Sequence, residues 1–167
     1  MVECPPPKRT MGVRFPPGPF YMTKERVGQV EVILFKKNKG FIEFLLLKRT
    51  KERGGFWQPV TGGIEDGEAI EEAAKREVFE ETHIKIKELI TDVYKFELKN
   101  KDGTKYPEYV FGAEINHKVD TTKNIYTEHE EVGFFEYEEA MAKLKWPGNK
   151  EGLTNLYKIL KTKYNLK

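Results

Sequence analysis

The 167-residue chain is 38% hydrophobic, 34% charged and 13% aromatic, which is the composition of a globular protein and not of a disordered or fibrous one. Its length suits one domain, and its longest apolar runs are long enough for strands but too short for a membrane span. The formal net charge of +2 arises in the first 21 residues, so the sequence predicts no basic surface for nucleic acid.

Those 21 residues form a tail that differs from the rest of the chain. They hold six of the nine prolines, the only cysteine (Cys4), and three basic residues against one acidic residue. The tail is expected to be disordered or non-native, with two explanations open: translation that begins at Met22, or an ordinary proline-rich extension. Residues 22–167 are predicted to form one domain. Without further cysteines there is no disulfide framework, which favours a soluble, cytoplasmic protein.

Two strands are predicted first, over residues 27–35 and 41–47, because both segments are rich in β-branched and aromatic residues. The polar sequence KKNKG between them suits a hairpin-like connection. The next segment, KRTKERGGFWQPVTGG, is rich in glycine and charge and predicts a loop for most of its length. A helix is predicted over residues 68–81, where apolar residues recur at spacings of three and four without glycine or proline.

Downstream, residues 92–98 and 108–115 are predicted strands, separated by an Asp-Gly turn signal. Residues 131–137 predict another strand, and residues 138–144 a short helix that ends before Trp146. A last helix is indicated by the apolar stripe Leu153, Leu156, Tyr157, Leu160 and Tyr164. The order β, β, α, β, β, β, α, α predicts an α/β (α+β) domain with helices packed on a mixed sheet.

The predicted helix over 68–81 is unusually acidic. Glu77, Glu80 and Glu81 stand at i, i+3 and i+4, so their carboxylates lie on one face of the helix and repel each other. A hard divalent cation would convert this repulsion into ligation, since Mg²⁺ binds oxygen donors and commonly combines carboxylates with substrate phosphates. Charge alone leaves two interpretations open, a solvated helix face and a metal site.

The segment GGIEDGEAIEEAAKREVFEETHI resembles the Nudix box, which is a glycine and a glutamate at fixed spacings before an Arg-Glu, aliphatic, Glu-Glu pattern. The matching positions are Gly62, Glu68, Arg76, Glu77, Val78, Glu80, Glu81 and Ile84. The departure is His83, where the family usually has a glycine that ends the helix in a left-handed turn. Flanking segments resemble bacterial Nudix enzymes that act on dATP and dihydroneopterin triphosphate. The resemblance implies a Nudix fold, with a central mixed sheet between helices.

The resemblance also implies a set of metal ligands and catalytic groups. Glu77 and Glu81 would hold Mg²⁺, or Mn²⁺ as a substitute, and Glu80 would share in ligation or in activating water. Glu128 in the segment TEHEE would be a further metal ligand or a base, although the glutamates at 130 and 131 stay open as alternatives. The same segment contains His129, which is interpreted as a hydrogen-bonding residue rather than a general base.

Other residues of the resembling segments are assigned supporting or substrate-binding positions. Gly62, Glu68 and Arg76 are expected to support the site, with Arg76 orienting a carboxylate and Glu68 holding the loop. The substrate-binding candidates are Arg49, Thr61, Trp57 and Asn149. For each of these an ordinary structural explanation stays open, namely a solvated strand end for Arg49 and a core position for Trp57. Phe56 and Trp57 could stack on a purine or pterin ring.

The function implied by the resemblance is Mg²⁺-dependent hydrolysis of a nucleoside or pteridine triphosphate to the monophosphate and pyrophosphate. One alternative is a diadenosine polyphosphate hydrolase. Another, from a different class, is a nucleotide-sensing module without catalysis. The expected partner is a small nucleoside or pteridine polyphosphate, with no nucleic acid and no membrane, for a monomer or a homodimer.

Overall fold

The computed structural model describes residues 27–116 and 128–166. The N-terminal tail and Met22 lie outside these residues. Helices α1 (Ile70–Thr82), α2 (Tyr137–Lys143) and α3 (Pro147–Tyr164) surround one sheet. The strands of the sheet are β1 (Gln29–Asn38), β2 (Phe41–Arg49), β3 (Trp57–Gln58), β4 (Val60–Gly63), β5 (Ile90–Lys99), β6 (Lys105–Glu114) and β7 (His129–Phe135).

The sheet is mixed, as the sequence predicts. Its strand order is β3-β2-β1-β6-β5, while β4 pairs with β1 and β7 pairs with β2. The pairing of β1 with β6 is parallel and the others are antiparallel. Strand β1 therefore lies at the centre and pairs with three other strands. Of the helices in the described ranges, none combines the length and the apolar character needed to cross a bilayer.

Two apolar layers cover the two faces of the sheet, because successive side chains of a strand point to opposite faces. Val30, Val32 and Leu34 of β1 belong to the layer that also contains the apolar residues of α1. Ile33 and Phe35 belong to the layer that contains the apolar residues of α3. The sheet is thus sandwiched between helices, as the resemblance implies.

Several predicted boundaries need correction. Helix α1 begins at Ile70 and not at residue 68, because Ala69 is extended and the Glu68 carboxylate instead accepts the N–H of Glu65 at 3.0 Å. The segment predicted as loop contains β3 and β4, which form because each pairs with a long strand distant in sequence. Strand β7 spans His129–Phe135 and not residues 131–137, since its first residue already pairs with Arg49 of β2.

Candidate active site

A polar cleft of about 410 Å³ lies where α1, β4, the end of β2 and the start of β7 meet. Its charged lining consists of four glutamates and two arginines, namely Glu77, Glu80, Glu81, Glu128, Arg49 and Arg53. All four glutamates predicted as metal ligands therefore line one cleft. Arg53 was missed by sequence reasoning, because a 3-10 turn over Lys51–Arg53 brings it there.

Arg76 connects the helix to the loop before it. Its Nε and Nη2 donate to the two carboxylate oxygens of Glu68, each at 2.8 Å, and its Nη2 also donates to the carbonyl of Gly63 at 2.9 Å. Its Nη1 contacts Glu77 at 2.7 Å and Glu80 at 3.3 Å. The guanidinium holds the pKa of Glu68 at about 2. These contacts match the supporting positions predicted for Arg76 and Glu68.

Glu77 is packed against the backbone of Gly62. A Cβ atom at Gly62 would lie 1.8 Å from the carboxylate carbon of Glu77, so only glycine leaves room for this side chain. Burial raises the pKa of Glu77 in spite of the ion pair with Arg76. Gly62 therefore determines where the Glu77 carboxylate lies.

Glu81 is the deepest carboxylate of the cleft. Its Oε2 is buried and has no hydrogen-bond partner among the described residues. Burial, followed by the negative charges of Glu77 and Glu128, raises the pKa of Glu81 to about 9. A buried carboxylate with an unpartnered oxygen and other carboxylates nearby is strongly destabilised in its charged form. A bound cation would remove that penalty.

The donor set of the cleft suits Mg²⁺, because carboxylate oxygens are the ligands this ion prefers. The buried, unpartnered oxygen of Glu81 gives a specific reason for a cation to bind there. Within the described residues, however, no three acidic, His or Cys side chains are already arranged to hold a metal ion. The reason is that Glu77 and Glu80 point toward Arg76. The residues therefore fit a divalent cation in type, and their carboxylates must turn to reach it.

The opposite wall of the cleft carries Glu128 and the two arginines. Glu128 Oε2 lies 3.1 Å from Nη1 of Arg53 and 3.9 Å from Nη2 of Arg49. Glu130 and Glu131 instead pair with Lys48, at 3.0 and 2.6 Å, and do not line the cleft. Of the three late glutamates that the sequence leaves open, Glu128 is therefore the one at the cleft.

His129 also lines the cleft and is 4% exposed. Burial, followed by the charge of Arg49, lowers the pKa of His129 to about 4. The imidazole is accordingly neutral near pH 7. Its Nε2 has no hydrogen-bond partner in the described part of the chain, although a hydrogen-bonding residue was predicted.

The predicted substrate-binding residues divide into two groups. Arg49 and Thr61 line the cleft, and the Thr61 hydroxyl accepts a hydrogen bond from Nε2 of Gln58 at 3.1 Å. Trp57 packs edge-on against Phe135, with ring centroids 5.1 Å apart, and does not line the cleft. Asn149 also lies outside the cleft lining, because α3 buries it over the sheet.

Comparisons with known proteins agree with this arrangement. A family model described as NUDIX domain matches residues 25–156. A crystal structure from Listeria monocytogenes, provisionally named a NUDIX hydrolase, is 33% identical at a TM-score of 0.70, and the match covers 81% of this chain and 95% of that one. The E. coli dihydroneopterin triphosphate pyrophosphohydrolase is 25% identical at a TM-score of 0.63, with 77% and 92% covered.

Two curated proteins match over shorter segments. An RNA pyrophosphohydrolase from Pelagibacter ubique is 44% identical over 61 residues, which are 36% of each chain. An octanoyltransferase from Myxococcus xanthus is 36% identical over 85 residues, which are 51% of this chain and 18% of that protein. The present chain thus spans about a third or less of the curated relatives it matches.

Proposed function

Because this chain belongs to the NUDIX family, we propose that it is a Mg²⁺-dependent hydrolase of a nucleoside or pteridine triphosphate, releasing the monophosphate and pyrophosphate. One observation carries the proposal: a single cleft combines four carboxylates with two arginines. Carboxylates suit a divalent cation, and guanidinium groups suit phosphate oxygens. The cleft thus offers both groups that a polyphosphate substrate needs.

Glu77, Glu80, Glu81 and Glu128 would hold Mg²⁺ or Mn²⁺. The ion, when bound, would neutralise the phosphate oxygens that repel an attacking water. Arg49 and Arg53 bind the phosphate chain, and the substrate competes with Glu128 for Arg53. Glu80 and Glu128 are the most exposed of the four carboxylates, with 56% and 48% of their side chains accessible, so either can accept the proton of the attacking water.

The test is a substrate panel with Mg²⁺ in water labelled with ¹⁸O. The panel contains dATP, dihydroneopterin triphosphate, diadenosine tetraphosphate and 5′-triphosphorylated RNA, the last because of the RNA pyrophosphohydrolase relative. We expect pyrophosphate as product from the first two and a complete loss of turnover with EDTA. Release of orthophosphate alone, or no hydrolysis of any substrate, would refute the proposal.

A matched pair of variants tests whether the cleft carries the reaction. Glu128→Gln should lower kcat at least tenfold, since it removes a carboxylate from the cleft. Glu131→Gln makes the same chemical change three residues later, outside the cleft lining, and should change kcat less than twofold. Equal effects of the two substitutions would contradict the assignment of Glu128.

A further inference from the structure

A buried group of polar side chains lies between the sheet and α3. Glu31 of β1 is 0% exposed, Glu108 of β6 is 2% exposed, and Asn149 of α3 is 6% exposed. Asn149 Nδ2 donates to Oε2 of Glu31 at 2.6 Å, and the two carboxyl groups are hydrogen-bonded to each other. Two carboxyl groups can form such a bond only when they hold a proton between them. Burial is the main cause that raises the pKa of both groups, to about 8 and about 7.

This buried acid pair, Glu31 and Glu108, is connected to the cleft through Gln29. Gln29 lines the cleft, and on the parallel β1–β6 ladder it stands directly beside Glu108. Its side chain is hydrogen-bonded to the Glu108 carboxylate. Because a carboxylate can only accept, the amide nitrogen of Gln29 is the donor. The contact therefore fixes which end of the Gln29 amide is the nitrogen.

The acid pair is an expensive arrangement for a protein core. Glu31 Oε1, Glu108 Oε1 and Asn149 Oδ1 are all buried and have no hydrogen-bond partner among the described residues. Buried polar atoms without partners destabilise a fold, and apolar residues would fill this space more favourably. A contribution to folding therefore does not explain the pair. Its one described connection to the cleft is the hydrogen bond to Gln29.

We infer that Gln29 contacts the ring of the substrate and that Glu108, held by Glu31, is its positioning residue. This inference rests on the proposed function, which supplies a triphosphate that carries a ring. A carboxamide has two N–H donors and one acceptor, so a donor given to Glu108 is compatible with a donor and acceptor side by side toward the cleft. Glutamine pairs in this way with the adjacent donor and acceptor of adenine. Pteridines present a similar edge.

The first experiment measures binding by calorimetry in the presence of Mg²⁺, with α,β-methylene dATP as the ring-bearing ligand and inorganic tripolyphosphate as the ringless control. Gln29→Ala should weaken binding of the nucleotide about tenfold, equivalent to about 1.4 kcal/mol. Binding of tripolyphosphate should change less than twofold. Equal changes for the two ligands, or none, would overturn the inference, as would a wild-type protein that does not bind the nucleotide.

The second experiment tests positioning. Glu108→Val removes the acceptor of Gln29 and should weaken nucleotide binding three- to fivefold, whereas Glu108→Gln keeps a carbonyl acceptor and should restore it. In the Gln29→Ala background, Glu108→Val should add nothing, because both changes remove one interaction. Additive effects, or a failure of Glu108→Gln to restore binding, would show that Glu108 is only structural.

The two proposals can fail separately. If the substrate panel shows no hydrolysis but Gln29→Ala still discriminates between the nucleotide and tripolyphosphate, the proposed reaction is wrong and the ring contact stands. If hydrolysis proceeds and Gln29→Ala affects both ligands alike, the reaction stands and the ring contact is wrong.

Discussion

Replacing Gly62 with alanine should displace the Glu77 carboxylate from the cleft. The added Cβ would lie 1.8 Å from the carboxylate carbon and 2.1 and 2.2 Å from its two oxygens. Both distances are far below van der Waals contact, and Glu77 ends in a flexible side chain, so the side chain moves rather than the strand. The substitution thus removes Glu77 from its position without changing its chemistry.

The magnitude follows from the contact that is lost. The displaced carboxylate leaves Nη1 of Arg76, which it contacts at 2.7 Å while only 13% of the Glu77 side chain is exposed. A hydrogen bond to a charged group contributes about 1.5 to 3 kcal/mol. Alanine restricts the unfolded chain and returns about 0.4 to 1 kcal/mol. We expect Gly62→Ala to lower the free energy of unfolding by about 1 to 2 kcal/mol.

Gly63→Ala is the matched control. It lies on the same strand, no atom comes within 4 Å of its Cβ position, and neither glycine has a positive φ. Gly63→Ala should leave stability unchanged or raise it by up to about 1 kcal/mol. Urea unfolding without metal measures stability, and initial rates with the best panel substrate measure activity. We expect the Gly62 variant to be at least tenfold slower than the Gly63 variant. Equal midpoints and equal rates would refute the reasoning.

Three further substitutions test other parts of the molecule. Glu81→Gln should lower turnover about a thousandfold, or about 4 kcal/mol of transition-state stabilisation, and should leave metal-free stability no lower in urea, because a like charge is removed; unchanged turnover would return the helix to a solvated face. The folded pKa of Glu31, about 8, lies above its model value of 4.5, so the native state retains this proton longer and the wild type loses stability as the pH rises between these values. Relative to wild type, Glu31→Gln should therefore gain about 2 kcal/mol between pH 5.5 and 7.5 in urea titrations, and a constant difference would contradict this. His83 has a φ of 59°, so His83→Gly should raise the free energy of unfolding by about 1 kcal/mol in the same assay, and a loss would mean that the contact of its ring with Phe79 outweighs the strain.

The sequence predicts those parts of the molecule that depend on local spacing. The carboxylates of Glu77, Glu80 and Glu81 line one cleft because helical periodicity alone places them on one face. The strand β4 could not be predicted, because a glycine-rich tetrapeptide has no strand preference of its own and forms by pairing with β1. Its partner strand begins 31 residues earlier in the chain, which no local pattern records.

The predicted substrate residues show the same limit. Arg49 follows a predicted strand directly, so its position at the strand end could be inferred. The environment of Asn149 depends on Glu31, which is 118 residues away and has no sequence signal for such a contact. Trp57 stands next to a cleft residue in sequence, but strand pairing with Lys48 turns its ring toward Phe135.

The parallel pairing of β1 with β6 has a consequence for the folding kinetics. The hairpin of β1 and β2 closes a connection of two residues, whereas the parallel ladder joins Gln29 to Glu108, across most of the chain. Contacts between residues so distant in sequence require a large loss of chain entropy before they form, and they slow folding. The hairpin can therefore form early, while Gln29 reaches its place beside Glu108 only when the ladder closes. A chain caught before that step would keep one edge of β1 unpaired and open to strand addition from another molecule.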